Sequence, residues 1–330
     1  MNDMWQMMGF AFAISLAVCL IIGPVLIPAL QRLKFGQSVR SDGPERHLQK
    51  QGTPTMGGVM FFFSLVLGTI FLAGSYQMTY FLLACAVGFG LIGFIDDYIK
   101  IVKKRSLGLT AKQKIVGQLA LSIWLSLMAI KGLTISTEVI VPLLGWSVEF
   151  GTIGYVLFSI FLMVGTTNAV NLTDGLDGLA SGVTLIVALG YTLIGVLQGQ
   201  LAVIVFGAAL VGSCLGFLVF NHHPAKVFMG DTGSLALGGA VVALAIMTKT
   251  ELFLPIIGII YVSEVISDII QVGVYKWKKV RVFKMAPLHH HFELCGWSEQ
   301  KVVRVFWAAT AIAVLVTLLC YSLTVGNMVL

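Results

Sequence analysis

Residues 201–247 read LAVIVFGAALVGSCLGFLVFNHHPAKVFMGDTGSLALGGAVVALAIM and contain two apolar segments separated by a polar loop. A helix needs about 20 predominantly apolar residues to cross the hydrocarbon core of a bilayer. Segments 200–220 and 235–249 have that composition, although the second is short. The stretch therefore predicts two membrane-spanning helices, with Asp231 in the loop just ahead of the second.

The same apolar composition recurs along nearly the whole chain. Of its 330 residues, 58% are hydrophobic and only 11% are charged. A soluble protein of this length would show polar helix faces, and these are missing. The pattern predicts an all-α, polytopic integral membrane protein with ten transmembrane helices, in a single domain over residues 1–330. The predicted spans are 10–31, 58–75, 79–96, 113–130, 151–168, 178–197, 200–220, 235–249, 252–275 and 303–325.

The distribution of basic residues predicts the orientation of these spans. Five alternate loops, with the span ends that adjoin them, contain every Lys and Arg except Lys131 and Lys249. Because basic residues are retained in the cytoplasm, we expect these loops to be cytoplasmic and both termini to be extracytoplasmic. The net charge of +6 then requires no nucleic-acid partner, since a basic cytoplasmic face attracts anionic lipids and anionic substrates. The five loops are 32–57, 98–112, 169–177, 221–234 and 276–302.

The outer loop at 132–150 contains turn residues and an alternating segment, ISTEVIV, which are typical of a small hairpin.

Three motifs place aspartates where an apolar span meets a cytoplasmic loop: FIDDYIK at 94–100, NAVNLTDGLDGL at 168–179 and VFMGDTGS at 227–234. In a chain with so few charges, these carboxylates need a specific reason to be present. Since all the junctions are predicted on one side of the membrane, we expect one acidic site there, of the kind that holds magnesium and phosphates. Its aspartates are Asp96, Asp97, Asp174, Asp177 and Asp231.

The first motif brings two adjacent carboxylates together. Asp96 and Asp97 repel each other unless a cation shares their charge, and Lys100 lies on the neighbouring helical surface. Such a pair can hold Mg²⁺, or one carboxylate can act as a base toward an acidic or hydroxyl nucleophile. Asp and Lys are also common at solvated helix ends, so this motif alone leaves a structural role open.

The second motif places Asn171, Asp174 and Asp177 at three-residue intervals, which predicts that their side chains cluster in a turn or in the first turn of a helix. Gly175 and Gly178 allow a ligand to approach the backbone closely. The structural alternative is an N-cap for the span that follows. Two aspartates, two asparagines and two glycines exceed what a cap requires, so the motif favours a binding site.

The third motif surrounds Asp231 with glycines and hydroxyl residues just ahead of a helix. Such a turn suits phosphate, because backbone N–H groups at a helix N-terminus are free to point at it. Asp231 beside the turn could bind a Mg²⁺ ion that bridges phosphates. Asn221 and Phe228 belong to the same loop, and the ring of Phe228 could stack on a base.

Three consecutive histidines, His289 to His291, lie in the last long loop. Three neighbours on one loop rarely reach a single tetrahedral zinc ion, so we favour donation to phosphate oxygens. Two acidic residues of the ninth span, Glu264 and Asp268, lie four residues apart on one helical face. Each either lines the site or is a neutral carboxylic acid hydrogen-bonded within the bundle.

Together, the ten spans, DDxxK, NxxNxxDGxDGL and the GDTGS loop resemble the polyprenyl-phosphate N-acetylhexosamine-1-phosphate transferases over nearly the whole chain. Two further segments, APLHHHFE at 286–293 and HLQKQGTPTMGG at 47–58, are similar to the muramoyl-peptide branch of that family and not to its GlcNAc-phosphate branches. No motif position departs from the family pattern.

The resemblance implies an enzyme of the bacterial inner (cell) membrane, multi-pass, with its active site on the cytoplasmic face and a single transmembrane catalytic domain. Its expected substrates are UDP-MurNAc-pentapeptide and undecaprenyl phosphate, which react to lipid I and UMP with Mg²⁺ as cofactor, in peptidoglycan synthesis. Members of the family often form homodimers, so a homodimer is an open expectation. Phosphoryl transfer of this kind depends chiefly on placement and charge stabilisation.

The resemblance also implies residue roles. Asp231 is expected to bind Mg²⁺ against the pyrophosphate, and Asp97, supported by Asp96, to deprotonate or orient the lipid phosphate. Lys100 would offset phosphate charge, and His290 would contact the phosphates or the sugar as a catalytic group. The other expected substrate contacts are Lys50 and Thr55 at the entrance, Asn168, Asn171, Asp174, Asp177, Asn221, Phe228 stacked on uracil, His289 and His291.

Two alternatives stay open at this stage. Asp97 could act as a covalent nucleophile in a two-step transfer. A protein of another class, a transporter or magnesium channel, also uses intramembrane carboxylates, although its sites should lie near the midplane, flanked by broken helices. Of the acidic residues, only Glu264 suits that second class.

Overall fold

The computed structural model of the protein describes residues 2–32, 52–103, 105 and 107–329. Twelve α-helices in this part of the chain account for most of it, so the prediction of a helical membrane protein is confirmed. They are α1 Asn2–Arg32, α2 Gly58–Ala73, α3 Gln77–Val102, α4 Ala111–Leu127, α5 Gly151–Thr173, α6 Leu179–Gln198, α7 Leu201–Asn221, α8 Gly230–Met247, α9 Leu254–Ile257, α10 Ile259–Lys278, α11 Leu288–Leu294 and α12 Glu299–Val329.

Every predicted span coincides with one of these helices or, in one case, with a pair. Among the described residues, eight helices are long and apolar enough to cross a membrane, or nine if the bent pair of α9 and α10 forms one span. Helix α2 is apolar but shorter, with 16 residues. The chain is therefore a polytopic membrane protein, while the count of ten spans stays a prediction.

Helix α8 lies at the centre of the bundle. Nearly all of its residues are buried, and α3, α5 and α2 pack around it. Its sequence is apolar on every side and rich in Gly and Ala, as expected for a helix enclosed by others rather than one facing lipid. Because α8 is enclosed, the residues at its two ends are held in fixed positions relative to the neighbouring helices.

The predicted hairpin in the loop 132–150 is confirmed. Strand β1, Glu138–Ile140, pairs antiparallel with β2, Ser147–Glu149, and Val139 lies opposite Val148. The hairpin follows a π-helical turn, Met128–Gly132, which continues directly from the end of α4.

The ninth predicted span, 252–275, is not one straight helix. A short 3₁₀ turn, Glu251–Phe253, leads into α9, and the combined segment Glu251–Ile257 meets α10 at an angle of 82°. Gly258, with φ −99° and ψ 31°, is the non-helical residue between them. The apolar run is continuous in sequence, so composition alone predicted one span, whereas the backbone changes direction at glycine.

A largely buried cluster of polar side chains stabilises the end of the bundle that carries the hairpin. The Lys249 Nζ donates to Glu251 Oε1 at 2.8 Å, to the Tyr155 hydroxyl at 3.1 Å and to the Ser136 carbonyl at 3.0 Å. The Tyr155 hydroxyl also donates to Glu251 Oε1 at 2.5 Å. Glu251 is 1% exposed, so Lys249 neutralises a carboxylate that would be costly to bury alone.

We expect Lys249→Met to destabilise the protein by about 3 kcal/mol. That figure is the lower end of the range for breaking a buried ion pair, because the Lys249 side chain is partly exposed. Thermal unfolding in detergent measures the effect. The double variant Lys249→Met with Glu251→Gln should be more stable than Lys249→Met alone, since it removes the unpaired charge; equal melting temperatures for wild type and Lys249→Met would refute this account.

Candidate active site

Three predicted motifs meet at the end of the bundle opposite the hairpin. Asp96 and Asp97 lie in the last turns of α3, and Asp231 lies in the first turn of α8. Oxygen atoms of these three carboxylates lie within 4.8 Å of one another. The predicted convergence of the first and third motifs is therefore found in the structure.

Gly93 makes this convergence possible. A Cβ atom built at Gly93 would lie 2.0 Å from the Asp231 carbonyl oxygen, closer than any real contact. Any other residue would push α3 away from the beginning of α8. The glycine one turn before Asp96 and Asp97 therefore sets how closely the two helices approach, and with it the distance between their carboxylates.

Two lysines bridge the carboxylates. The Lys100 Nζ lies 2.6 Å from Asp96 Oδ2 and 3.3 Å from Asp97 Oδ1, and it also lies 3.2 Å from Asp231 Oδ2. The Lys114 Nζ, from α4, donates to the same Asp231 oxygen at 2.8 Å. Three carboxylates thus face two ammonium groups in one cluster, which we call the acidic centre: Asp96, Asp97, Asp231, Lys100 and Lys114.

Lys114 is the member of the acidic centre that the sequence analysis missed. It lies inside the predicted span 113–130, and no sequence motif joins it to the aspartates. A lysine at the start of an apolar span was the available signal, since such a side chain usually finds a charged partner or the membrane surface. Its partner, Asp231, is 117 residues away in sequence.

The first turn of α8 holds Asp97 in place. The Asp97 Oδ2 accepts hydrogen bonds from the Thr232 backbone N–H and from Thr232 Oγ1, each 2.8 Å long. Gly230 has φ +71°, and a Cβ there would lie 2.6 Å from Asp97 Oδ2 and 2.9 Å from Thr55 Oγ1. Glycine therefore lets Asp97 and Thr55 approach the N-terminus of α8, where backbone N–H groups favour anions.

Asn171 and Asp96 link the acidic centre to neighbouring elements. The Asn171 Nδ2 donates to Asp231 Oδ1 at 3.0 Å and to Ser234 Oγ at 2.8 Å, which fixes the Asp231 side chain from the side of α5. The Asp96 Oδ1 accepts from the Leu109 N–H at 2.8 Å and so holds the segment that precedes α4. Asn168, one turn earlier than Asn171, instead donates to Gln118 Oε1 on α4 at 2.8 Å.

Asp174 faces the acidic centre from the loop that follows α5. Burial, followed by the nearby carboxylates of Asp231, Asp97 and Asp177, raises the pKa of Asp174 well above its ordinary value, and no cation among the described residues offsets this. A carboxylate in this situation gains from any donor or cation that a ligand brings. Asp174 is therefore an acidic group of the site that a donor or cation of a ligand would stabilise.

Asp177, which was predicted to cluster with Asn171 and Asp174, belongs to a separate group. Its Oδ2 accepts from the Ala225 N–H at 3.1 Å and lies 3.2 Å from His223 Nδ1. Its backbone N–H donates to Glu299 Oε1 at the start of α12, at 2.7 Å. Asp177 lies near enough to Asp174 to raise its pKa, but its hydrogen bonds tie it to the loop after α7 and to α12 rather than to the acidic centre.

Asn221 and Phe228 occupy the loop between α7 and α8. The Asn221 side chain is buried; its Oδ1 accepts from the Gly178 N–H at 3.0 Å and its Nδ2 donates to the Val227 carbonyl at 3.0 Å. It thus joins the second and third motifs through the backbone. The Phe228 backbone pairs with Pro54 and Gly57 at 2.8 Å each, and its ring is partly exposed near the same end of the bundle.

The three histidines lie on the short helix α11 and take three different partners. His289 is buried, with its Nδ1 3.1 Å from Glu264 Oε2. The His290 Nδ1 lies 2.9 Å from Glu293 Oε2, and the His291 Nδ1 accepts from the Lys284 N–H at 3.1 Å. The rings of these residues thus point to different surroundings, as expected if they do not share one zinc ion.

Lys50, the remaining predicted substrate contact, lies outside the described residues. The adjoining Thr55 is described and faces the first turn of α8.

The acidic centre fits a hard divalent cation. Carboxylate oxygens are the ligands such ions prefer, and the three aspartates offer one oxygen each within mutual reach of 4.8 Å. A cation there would share Asp231 Oδ2 with Lys100 and Lys114. The second group of this kind, Asp177 with His223 and Glu299, is tied together by the hydrogen bonds already described.

Comparison with known proteins agrees with the motifs. The model of Glycosyl transferase family 4 matches residues 78–249, and Phospho-N-acetylmuramoyl-pentapeptide-transferase signature 1 matches residues 50–62. The first match contains all three aspartate motifs, and the second begins at Lys50 and includes Thr55.

Relatives that align over nearly the whole chain are named phospho-N-acetylmuramoyl-pentapeptide-transferase, as is the signature. The phospho-N-acetylmuramoyl-pentapeptide-transferase of Heliobacterium modesticaldum is 52% identical over 310 residues, which cover 93% of this chain and 96% of that protein. That of Desulfitobacterium hafniense is 50% identical and covers 96% of this chain and 98% of its own length. That of Geobacillus thermodenitrificans is 49% identical, with 92% and 94% covered. The chain therefore belongs to the phospho-N-acetylmuramoyl-pentapeptide-transferase family and is a glycosyl-1-phosphate transferase.

Proposed function

We propose that this protein transfers phospho-MurNAc-pentapeptide from UDP-MurNAc-pentapeptide to undecaprenyl phosphate in peptidoglycan synthesis. An oxygen of the lipid phosphate attacks the β-phosphorus of the nucleotide, the bond from that phosphorus to the bridging oxygen breaks, and UMP leaves. The products are lipid I and UMP. The observation that carries the proposal is the acidic centre, in which α3, α4 and α8 bring three aspartates and two lysines together at a helix N-terminus.

The charges of the acidic centre suit two phosphorylated substrates. Lys100 and Lys114 can move from the carboxylates to phosphate oxygens as these arrive, and the N–H groups at the beginning of α8 favour the same anions. Asp97 is the residue that we assign to the lipid phosphate. Its Oδ2 is engaged by Thr232 and its Oδ1 lies 3.3 Å from Lys100 Nζ, so Oδ1 becomes available to orient or deprotonate the acceptor when Lys100 moves to a phosphate oxygen, with Asp96 in support.

The cofactor that we assign is Mg²⁺, held by Asp231 with the help of the neighbouring carboxylates. When bound, it supplies positive charge at the pyrophosphate. Asn171 restrains the Asp231 side chain through its hydrogen bond to Oδ1, so Oδ2 stays directed toward Lys100 and Lys114.

The nucleotide half of the donor is assigned to Asp174, Phe228 and the residues of α11. Asp174 lacks a cationic partner among the described residues, and a donor group of the uridine would satisfy it. Phe228 is partly exposed and is assigned to stack on uracil. Asn168, Asp177 and Asn221 are engaged with protein groups, so we assign them to shaping the loops and not to direct contact.

We assign the acidic centre to the cytoplasmic face of the bacterial inner membrane, with ten spans, both termini extracytoplasmic and residues 1–330 forming one transmembrane catalytic domain. Two features support this orientation. The motif residues lie at one end of the bundle, and Lys249, predicted to be extracytoplasmic, contacts Ser136 beside the hairpin at the other end. A homodimer, frequent in the family, stays a prediction.

In the part of the chain that the structure describes, the broken span of α9 and α10 is the feature that would suit a transporter or magnesium channel. It carries Glu264, but that carboxylate is enclosed and faces His289. The three aspartates of the acidic centre lie at helix ends rather than within a broken helix. We therefore retain the transferase as the proposed function.

A product assay tests the proposal. The purified protein, supplied with UDP-MurNAc-pentapeptide, undecaprenyl phosphate and Mg²⁺, should release one UMP for each lipid-linked sugar formed. Proteoliposomes assayed in parallel for solute and Mg²⁺ flux serve as the comparison. Flux without UMP release would overturn the proposal, and so would UMP release that is independent of the lipid acceptor.

A further inference from the structure

A carboxylate and an imidazole face each other in the protein interior, away from the acidic centre. Glu264 on α10 is fully buried, and His289 on α11 is 1% exposed. Glu264 Oε2 lies 3.1 Å from His289 Nδ1 and accepts a long hydrogen bond, 3.4 Å, from the His289 backbone N–H. A carboxylate buried at this depth is costly unless a partner engages it. Its placement opposite one ring nitrogen therefore needs a reason.

This contact decides which nitrogen of the ring is turned toward the site. The Glu264 carboxylate lies 3.1 Å from Nδ1, so Nε2 is the nitrogen on the opposite side of the ring. Among the described residues, both ring nitrogens of His289 and Glu264 Oε1 are buried without a hydrogen-bond partner, and Nδ1 differs from Nε2 in its close polar contact with Glu264 Oε2, at 3.1 Å. A buried polar atom without a partner is rare and points to a ligand or a bound water.

His289 Nε2 lies against the second motif. A Cβ atom built at Gly175 would lie 2.2 Å from Nε2, so only glycine leaves room for the ring there. Gly175 directly follows Asp174, the acidic group that lacks a cationic partner among the described residues. The unpartnered nitrogen thus lies beside the loop that we assign to the nucleotide substrate.

We propose that Glu264 is a positioning residue: it holds His289 through Nδ1, so that Nε2 faces the sugar nucleotide bound along the loop of Asp174 and Gly175. The inference rests on the proposed function and deepens it, because it assigns the substrate contact of His289 to one ring nitrogen. It also gives Glu264, which does not reach the acidic centre, a reason to lie inside the bundle.

The variant Glu264→Gln tests this role with almost no change in volume. An amide can present its NH₂ group instead of an oxygen to Nδ1, so it no longer decides which ring nitrogen carries the proton. We expect the dissociation constant and the KM for UDP-MurNAc-pentapeptide to rise by about 10-fold or more, by analogy with the partners that orient metal-bound histidines, whose loss costs about 10–100-fold. The KM for undecaprenyl phosphate should change less than about twofold.

The matched control is Ser267→Ala, three residues further along α10. Ser267 is buried and donates to the Glu264 carbonyl at 2.7 Å, so its loss perturbs the same turn without touching His289. We expect both substrates to bind Ser267→Ala as they bind the wild type. An equal loss in Ser267→Ala would indicate that the turn merely supports the fold, and would overturn the inference.

A double-variant cycle shows whether Glu264 acts through His289. If it does, Glu264→Gln should add little to the defect of His289→Asn; additive defects would contradict the positioning role.

Should Glu264→Gln fold poorly, Gly175→Ala displaces the same ring from the other side and should raise the same KM. Measuring nucleotide binding directly separates this inference from the proposed reaction. If the wild type binds the nucleotide but transfers nothing, the proposed function is wrong. If the dissociation constant is unchanged in Glu264→Gln and Gly175→Ala, this inference alone is wrong.

Discussion

Asp231→Asn is expected to reduce turnover by about 1,000-fold and to abolish its dependence on Mg²⁺. A metal ion contributes several kcal/mol of charge stabilisation to such reactions, and each 1.4 kcal/mol is about tenfold in rate. Asp231 is the carboxylate that both Lys100 and Lys114 contact, so the positive charge of the two lysines is concentrated beside it. Initial rates measured over a range of Mg²⁺ concentrations give the result.

The control for Asp231→Asn is Glu138→Gln, the same chemical change in the hairpin at the other end of the bundle. It should leave both the rate and the Mg²⁺ dependence unchanged. We expect Asp231→Asn to keep the fold, because an asparagine can still accept a hydrogen bond from Lys114. Melting temperatures of both variants check this. A Mg²⁺ dependence of Asp231→Asn equal to that of the wild type would remove Asp231 as the metal ligand.

Asp97→Asn is expected to lower kcat by about 100- to 10,000-fold, the usual contribution of a positioned base. The nucleotide should still bind, because the assigned uridine contacts lie elsewhere. The amide oxygen of asparagine can accept the two hydrogen bonds that Thr232 donates, so the first turn of α8 should stay in place. Single-turnover rates measured with equilibrium binding of UDP-MurNAc-pentapeptide separate the two quantities.

The same variant bears on the covalent alternative. Direct attack by the lipid phosphate requires both substrates on the enzyme at once, whereas a covalent route forms a phospho-MurNAc enzyme before the lipid binds. We expect no labelled protein when the wild type meets UDP-MurNAc-pentapeptide alone. Trapping of such a species, absent from Asp97→Asn, would establish the two-step route, and near-normal turnover of Asp97→Asn would remove Asp97 from either mechanism.

Much of the fold was predictable because the membrane imposes one simple requirement, a long apolar helix. Each predicted span coincides with helix in the structure, and the boundaries of α5, α6 and α7 differ from prediction by a few residues. The bend between α9 and α10 was not predictable from composition. Gly258 interrupts the helix, but the residues on both sides are equally apolar, so hydropathy gives no sign of a break.

The candidate site was predictable where a motif placed charges together in sequence. Asp96, Asp97 and Asp231 meet as expected, because α3 and α8 end and begin at the same level of the bundle. Asp177 does not join them. A three-residue spacing keeps side chains on one face only within a helix, and Asp174 and Asp177 lie in the turn between the end of α5 at Thr173 and the start of α6 at Leu179.

Contacts between distant residues could not be predicted from spacing. Lys114 and Asp231 are 117 residues apart, and Glu264 and His289 belong to different helices joined by a long basic loop. In each case the sequence showed a charged residue in apolar surroundings but not its partner. Packing of the enclosed helix α8 and of α11 decides those pairs, and packing depends on many side chains at once.

Direct measurement of metal binding tests the central claim, that aspartates from separate helices form one cation site. Mn²⁺, which binds oxygen ligands as Mg²⁺ does and gives an electron paramagnetic resonance signal, can be titrated into the purified protein in the presence of UDP-MurNAc-pentapeptide. We predict one site in the wild type, lost in Asp231→Asn, weakened in Asp97→Asn and retained in Glu138→Gln. Equal Mn²⁺ binding by the wild type and Asp231→Asn would contradict the account.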